Sequence, residues 1–375
     1  MQKHSKGFKV LALSDSIILK NTEFFTTLLR FNTPIYIKEY GSGGTSTASF
    51  RGTSASNTAV VWNGININSI NNGQTGFNSL TVSLFDNIDV RSGGGSIEYG
   101  SGAVGGTVHL NDALTFKNTP IVTNQFITSV GSYNTYNSLY KLKYSGEKLA
   151  LKIGASYNQS ENDYPLLGTN FRNTNGEYSN IGLNGGFSYK LSEYSELNLF
   201  TTSYLGERFF SGELPNPSSA NDKYQDINNR TLITYHRKKG QVTNEVKAAF
   251  LTEEYRFFDD KTLASFNFGK SKRYIGNYKF KYRFANINAS ASSLSEYESV
   301  FGKTDQIIER NRRQFSQSLI FSHQVNNLLF YDVKLRKDFN SDYTVPLTYA
   351  LGIKVKPFSL ISFRANTSKN YRVPT

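Results

Sequence analysis

From about residue 120 onward the chain repeats one pattern, in which apolar and polar residues alternate segment after segment. Tyr274, Gly276, Tyr278, Phe280, Tyr282 and Phe284 fall on one side of an extended backbone, with Asn277, Lys279, Lys281 and Arg283 on the other. Leu149, Leu151, Ile153, Ala155 and Tyr157 alternate with Lys152, Gly154 and Ser156, and Leu329, Tyr331, Val333 and Leu335 with Asp332, Lys334 and Arg336. A period of two is the period of a strand, whereas a helix repeats every 3.6 residues. No helical-period stretch interrupts the series, so this region is expected to be a long run of strands with one apolar and one polar face.

Each segment runs for roughly 9–13 residues, the length a tilted strand needs to cross a bilayer, and about a dozen of them fit between residues 120 and 370. Turn-like pieces ("YSGEK", "HRKKGQ", "KVKPFS") alternate with longer polar ones ("GTNFRNTNGEYS", "SGELPNPSSANDKYQD"). Short turns on one side and long loops on the other is the layout of a transmembrane barrel. A soluble β-sandwich or β-solenoid also alternates, but sandwich strands are usually about 5–6 residues. Aromatic residues near strand ends (Tyr133, Tyr136, Tyr189, Tyr194, Tyr204, Phe209, Phe210) also suit interfacial girdles.

Composition agrees. Aromatic residues reach 14% while hydrophobic residues are only 38%, and no run of 18 apolar residues offers a membrane helix. The net charge of +13 is compatible with nucleic acid, lipid phosphate or an anionic ligand. A nucleic-acid-binding protein would gather Lys and Arg on one surface; here they scatter through strands and turns, so no nucleic-acid partner is expected. With no cysteine, disulfides, thiolate metal sites and cysteine nucleophiles are ruled out. At the N-terminus the apolar run Val10–Leu13 is too short for a secretory signal. Either the protein is not exported, or a preceding part of the gene product is absent.

Residues 1–112 have a different character, with short mixed segments separated by Gly, Ser and Asn. A helix is expected over Asn21–Arg30 with Thr22 as its cap, and strands at Ala59–Trp62 and Asn87–Val90. Together they make a small α+β domain. It closes with "VRSGGGSIEYGSGAVGGTVHLND" (Val90 to Asp112), in which Gly100, Gly102 and Gly105 satisfy G-x-G-x-x-G. A dinucleotide fingerprint must open a helix and be followed about 20 residues later by an acidic residue. Here β-forming "GTVHL" follows and the later region reads "TNQFITSV". The nucleotide reading fails, and no P-loop is present. These glycines are better explained by tight turns and close backbone approach.

The same residues resemble the plug domain of TonB-dependent outer-membrane receptors. The resemblance rests on Arg51-Gly52, the Asn63-Gly64 turn, Ile88, Val90, Ser96, Tyr99-Gly100, Gly102, Ala103 and Gly105-Gly106. Gly93-Gly94 departs from the family's usual Gly-Pro, and no TonB box is recognisable. The last residues, "NYRVPT", resemble the start of a barrel motif of the family. The implied architecture is mainly β: a plug at 1–112, then an antiparallel transmembrane β-barrel at 113–375. Plugged transporters close with about 22 strands, so the barrel is expected to be incomplete and the chain an N-terminal fragment of a longer receptor.

By the same resemblance the protein is no enzyme and needs no cofactor. It would sit in the outer membrane of a Gram-negative bacterium, touching lipid and lipopolysaccharide. It would take up a bulky metal chelate (a ferric siderophore, haem or cobalamin), energised by the TonB–ExbB–ExbD complex. A non-transporting binding or adhesion barrel, or a non-functional fragment, is the alternative. The apex Asn66–Gly76 would meet the ligand through Asn68, Asn71, Asn72 and Gln74, although these residues also suit simple turns. Arg208, Phe209, Phe210, Tyr255, Arg256, Phe257 and Phe258 would line the vestibule, and Arg51 would pair with a wall carboxylate. No catalytic or metal-ligating constellation is read. His4, His109, His236 and His323 lie far apart, Glu253-Glu254 and Asp259-Asp260 look like rim residues, and Ser14-Asp15-Ser16 like a cap or turn.

Overall fold

The computed structural model describes residues 8–20, 24–40, 44–50, 52–358 and 360–373. Its first part is a mixed α/β unit. The strands are β1 (Val10–Leu13), β2 (Tyr36–Tyr40), β3 (Thr45–Ser49), β4 (Thr58–Trp62), β5 (Ile65–Asn66), β6 (Asn87–Ser92) and β7 (Gly106–Asn111). The helices are α1 (Asp15–Lys20), α2 (Phe25–Asn32) and α3 (Ser96–Tyr99). Five strands form one sheet in the order β1-β6-β7-β4-β5, and β2 pairs with β3 as a separate hairpin. Within the sheet only the β4–β7 pair is parallel among the described residues. The helix expected at 21–30 is α2, which begins at Phe25, and a further short helix, α1, precedes it; Thr22 lies outside the described residues. Ser14 does open a helix, since its carbonyl accepts from the Ile17 and Ile18 amides at 3.0 and 3.1 Å.

The second part is a sheet of thirteen strands, each hydrogen-bonded antiparallel to its sequence neighbours. They are β8 (Ile121–Gly131), β9 (Thr135–Ser145), β10 (Leu149–Ser160), β11 (Tyr178–Ser192), β12 (Ser195–Phe210) and β13 (Asp222–Lys239). Then follow β14 (Val242–Phe258), β15 (Asn267–Phe284), β16 (Ala289–Thr304), β17 (Arg310–Gln324), β18 (Leu329–Asn340), β19 (Thr348–Val355) and β20 (Phe363–Lys369). The sheet is not closed: among the described residues β8 and β20 each pair on one side only. β13 and β15 run for 18 residues, longer than the expected 9–13. Their polar inner faces continue beyond the apolar outer band, so hydropathy alone under-reads their length.

The wall inverts the soluble pattern. Along β15, Arg273, Ile275 and Asn277 are buried while Tyr274 and Tyr278 are 47% and 46% exposed. Outward rings meet across strands, as in Phe250–Tyr274 at 4.8 Å between centroids, a contact that stabilises neighbouring strands. Of the expected girdle residues, Tyr133, Tyr136, Tyr189 and Tyr194 are exposed. Tyr204 instead points inward and donates to the Asn78 carbonyl at 3.0 Å.

The apolar core sits in the first unit, around the fully buried Trp62, Phe25, Phe50, Leu28 and Leu29. The same cluster takes in Phe200, Leu232, Ala249, Leu251 and Ile275 from the wall. The wall therefore packs against the first unit, and strands β12–β15 share its core. No helix among the described residues is long and apolar enough to cross a membrane.

Candidate ligand vestibule

Two charge clusters seat the inner unit. In the first, Lys152 places Nζ 2.5 Å from Asp112 Oδ1 and 3.0 Å from Asp86 Oδ2, while Lys143 reaches Asp86 at 2.6 Å. Trp62 Nε1 and Asn63 Nδ2 donate to Asp112 Oδ2 at 3.1 and 3.0 Å, and Asn184 Nδ2 donates to Oδ1 at 3.1 Å. Burial alone would raise the Asp86 carboxyl; Lys152, the Ala113 amide and Lys143 outweigh it and hold Asp86 below the usual carboxylate range. In the second cluster, Glu98 on α3 bridges Arg91 of β6 (3.1 Å) and Lys334 of β18 (2.5 Å). Against burial, Lys334 and Arg91 keep Glu98 well below its ordinary range. Behind it, Tyr99 stands edge-on to His109 at 4.8 Å. Burial first, then Arg91, lowers the imidazole to about 3.

The glycine-dense stretch is the scaffold around this second cluster. Gly93 N donates to Gly105 O at 2.9 Å and Gly95 N to Ala103 O at 2.8 Å, folding the segment on itself. Ser96 opens α3, and Asn66 Nδ2 ties the segment down by donating to Tyr99 O and Ser101 O. Asn63 and Gly64 make the turn between β4 and β5 in the left-handed region (φ 46° and 88°). Gly52 also has positive φ (80°); Arg51 lies outside the described residues.

The loop after β5 projects toward the side of the wall that carries the longer loops, residues 161–177, 211–221 and 259–266. Its shape is set from within. Asn68 Oδ1 accepts from the Val60 amide at 2.9 Å and Thr75 Oγ1 at 3.0 Å, and its Nδ2 donates to Thr58 O and Gly73 O. Gly73 N donates back to Ser69 O at 2.9 Å, and the Gln74 amide donates to Asn72 Oδ1 at 3.1 Å. Asn68 is thus committed inside the loop, while Asn71, Asn72 and Gln74 border an open space of about 670 Å³.

Across that space stand Arg208 and Phe210 of β12, Tyr224 and Arg230 of β13, and Tyr255 and Phe257 of β14. Tyr224 and Tyr255 stack with centroids 5.8 Å apart and planes 10° apart. The Arg208 guanidinium lies 4.4 Å over Tyr224 and binds Asp226 at 2.8 Å. Arg230 reaches Glu253 only at 3.9 Å, and Nε of both arginines and Oε2 of Glu253 are buried without a hydrogen-bond partner. Of the seven expected wall residues, Arg208, Phe210, Tyr255 and Phe257 border the space. The strand period turns the other three away: Phe209 packs beneath Lys261, Arg256 over Phe266, and Phe258 beneath Lys223. Tyr224, Asp226 and Arg230 went unread, though the alternation in "DKYQDINNR" places them on the same inner face. Glu253 and Glu254 both border the vestibule, and Glu254 also pairs with Arg256 and Lys270 (2.7 and 2.9 Å). Asp260 accepts from Asn221 and Thr262 in the loop after β14. Among the described residues no three His, Cys, Asp or Glu side chains gather as a metal site.

A plug held by ion pairs inside a curved wall of strands, with a rigid loop facing an aromatic and basic vestibule, is the architecture of a plugged β-barrel, of which this chain carries part of the wall. Residues 16–107 match the family model of the TonB-dependent Receptor Plug Domain. The chain is similar to the siderophore receptor PirA from Acinetobacter baumannii (TM-score 0.79, 15% identity, 100% of this chain and 62% of that one). It is similar also to a mutant of the ferric enterobactin receptor PfeA from Pseudomonas aeruginosa (0.79, 13%, 100% and 63%) and to the copper transporter OprC (0.72, 10%, 90% and 58%). Among curated proteins the chain has no match. In fold the chain is like those receptors, with a plug domain followed by part of a barrel, and it spans less than two thirds of their length.

Proposed function

We propose that this protein captures a bulky metal chelate at the outer face of a Gram-negative outer membrane and admits it past the plug when TonB, driven by ExbB–ExbD, pulls on the N-terminal segment. The observation that supports this reading is the vestibule itself. A loop held rigid by Asn68 presents Asn71, Asn72 and Gln74 to a stacked Tyr224–Tyr255 pair flanked by Arg208 and Arg230. Stacked rings offer area at low entropic cost, and guanidinium groups with unspent donors favour oxygen-rich anions. Among the three chelate classes, this chemistry favours a ferric siderophore with planar aromatic donors over haem and cobalamin. PirA is a siderophore receptor and PfeA a ferric enterobactin receptor.

The test is calorimetric titration of the detergent-solubilised chain with ferric catecholate, ferric hydroxamate, haem and cobalamin. Binding of the catecholate, weakened about tenfold or more in Tyr255→Ala, is expected. No binding by any of the four, or binding untouched by Tyr255→Ala and Asn71→Ala together, would overturn the reading.

A further inference from the structure

The plug touches its wall in two chemically different ways. From β12 to β15 the contact is continuous apolar core: Phe200, Leu232, Ala249, Leu251 and Ile275 belong to one buried cluster with plug residues such as Trp62, Ile65 and Ile67. Toward β9–β11 the fit is tight, with the Asp86–Asp112–Lys152 cluster below and Leu84 pressed so close to Gly154 that a Cβ there would stand 2.8 Å away.

Along β16–β18 a buried charge cluster is again present, Arg91–Glu98–Lys334, but the apolar core is not. Among the described residues the apolar cluster includes none from these three strands. The contacts are polar and few: Ser318 Oγ donates to Ile97 O at 2.9 Å, Lys334 pairs with Glu98, and at the margin Arg273 donates to Asn68 O at 3.2 Å. Between them lies a second space of about 80 Å³, bounded by plug segments 64–70 and 99–102 and by Arg273, Glu296, Glu298, Arg312, Gln314 and Arg336. Arg336 spends Nε on Asp338 and Nη2 on Glu296, leaving Nη1 without a partner.

Parting an apolar seam exposes hydrocarbon to water, whereas entering water can replace polar contacts around a void one for one. We infer that the plug separates first along the β16–β18 seam, and that a passage for an anionic ligand opens there, lined by these guanidinium groups. The word "passage" rests on the transport reading above; the order of separation does not.

The chain has no cysteine, so Ser318→Cys on β17 and Ala249→Cys on β14, both conservative and both buried against the plug, each give a single thiol. The full chain in detergent is treated with a sulfonate-bearing or a trimethylammonium-bearing methanethiosulfonate in urea too dilute to shift Trp62 emission. Ser318→Cys is expected to react about tenfold faster than Ala249→Cys and to prefer the sulfonate by a similar factor. Equal rates, faster reaction at Ala249→Cys, or a preference for the cationic reagent would overturn the inference. Hydrogen exchange on the unsubstituted chain reads the same order: amides 97–102 before 58–67 supports it, and the reverse overturns it. Neither measurement needs a chelate, so the seam and the transport reading fail separately.

Discussion

Lys334 on the wall and Glu98 on the plug, 236 positions apart in sequence, meet at 2.5 Å with the Lys334 side chain fully buried. Arg91 completes the group from the plug side, itself fully buried and stacked 4.5 Å over Phe8. Buried charges are costly unless every partner is present, so this contact sets the plug's position inside the wall more than it adds net stability.

Removing one partner should therefore hurt more than removing the pair. Lys334→Met is expected to lower plug stability by about 3–5 kcal/mol, and Lys334→Met with Glu98→Gln by distinctly less. The sole tryptophan, Trp62, lies fully buried in the plug, so its emission shift in urea reports the midpoint. A double variant no more stable than the single one would contradict this account.

Acid should loosen the plug in two stages. His109 titrates near 3 in the fold against about 6.5 unfolded. Between those values the unfolded chain binds the extra proton, so stability falls as pH falls, by about 2 kcal/mol at pH 5. Asp86 and Glu98 have lowered values; their contribution is complete above the ordinary carboxylate range and is lost only below about pH 4.5. Urea midpoints followed through Trp62 from pH 7 to 2 should show both stages. His109→Gln should flatten the first and leave the second.

What the sequence disclosed and what it withheld follow from the range of the interactions. The alternation around Tyr274 and Tyr278 is local, and it reports both the strand and its lipid face. The same rule, applied strictly, separates Arg208 and Phe210 from Phe209. The rigid loop was legible as an asparagine-rich turn, but not that Asn68 would be spent inside it: its partners Val60 and Thr58 lie on a neighbouring strand. The ion pairs were invisible, because Lys152 and Asp86 are 66 positions apart and nothing in either neighbourhood names the other. Strand ends past the apolar band carry no hydropathy signal, which is why β13 and β15 exceed their expected lengths.

Gly106 is a point of close approach. A Cβ on it would stand 2.7 Å from the Arg91 carbonyl and 3.0 Å from the Phe50 ring. Neither can yield without shifting the β6–β7 pair, so Gly106→Ala is expected to cost about 1–3 kcal/mol, read from the Trp62 midpoint. Gly240→Ala, in the open turn between β13 and β14 where a Cβ meets nothing within 4 Å, is the control. It carries only the strain of its φ of 57°, and a loss as large as that at Gly106 would refute the packing argument.

The wall's orientation can be tested one face at a time. Leu319 on β17 is 54% exposed, and its sequence neighbour Ser318 is fully buried against the plug. If the exposed face meets hydrocarbon, Leu319→Arg carries a charge into lipid near the middle of its strand, costing about 2–4 kcal/mol. If that face met water, the same change would be nearly neutral, since exposed substitutions away from special features usually cost little. Assembly into lipid vesicles, followed by the fraction of chain that resists protease, separates the two outcomes. Leu319→Arg should lower that fraction sharply while Leu319→Phe leaves it unchanged. Normal assembly of Leu319→Arg would mean that the alternating face does not meet lipid.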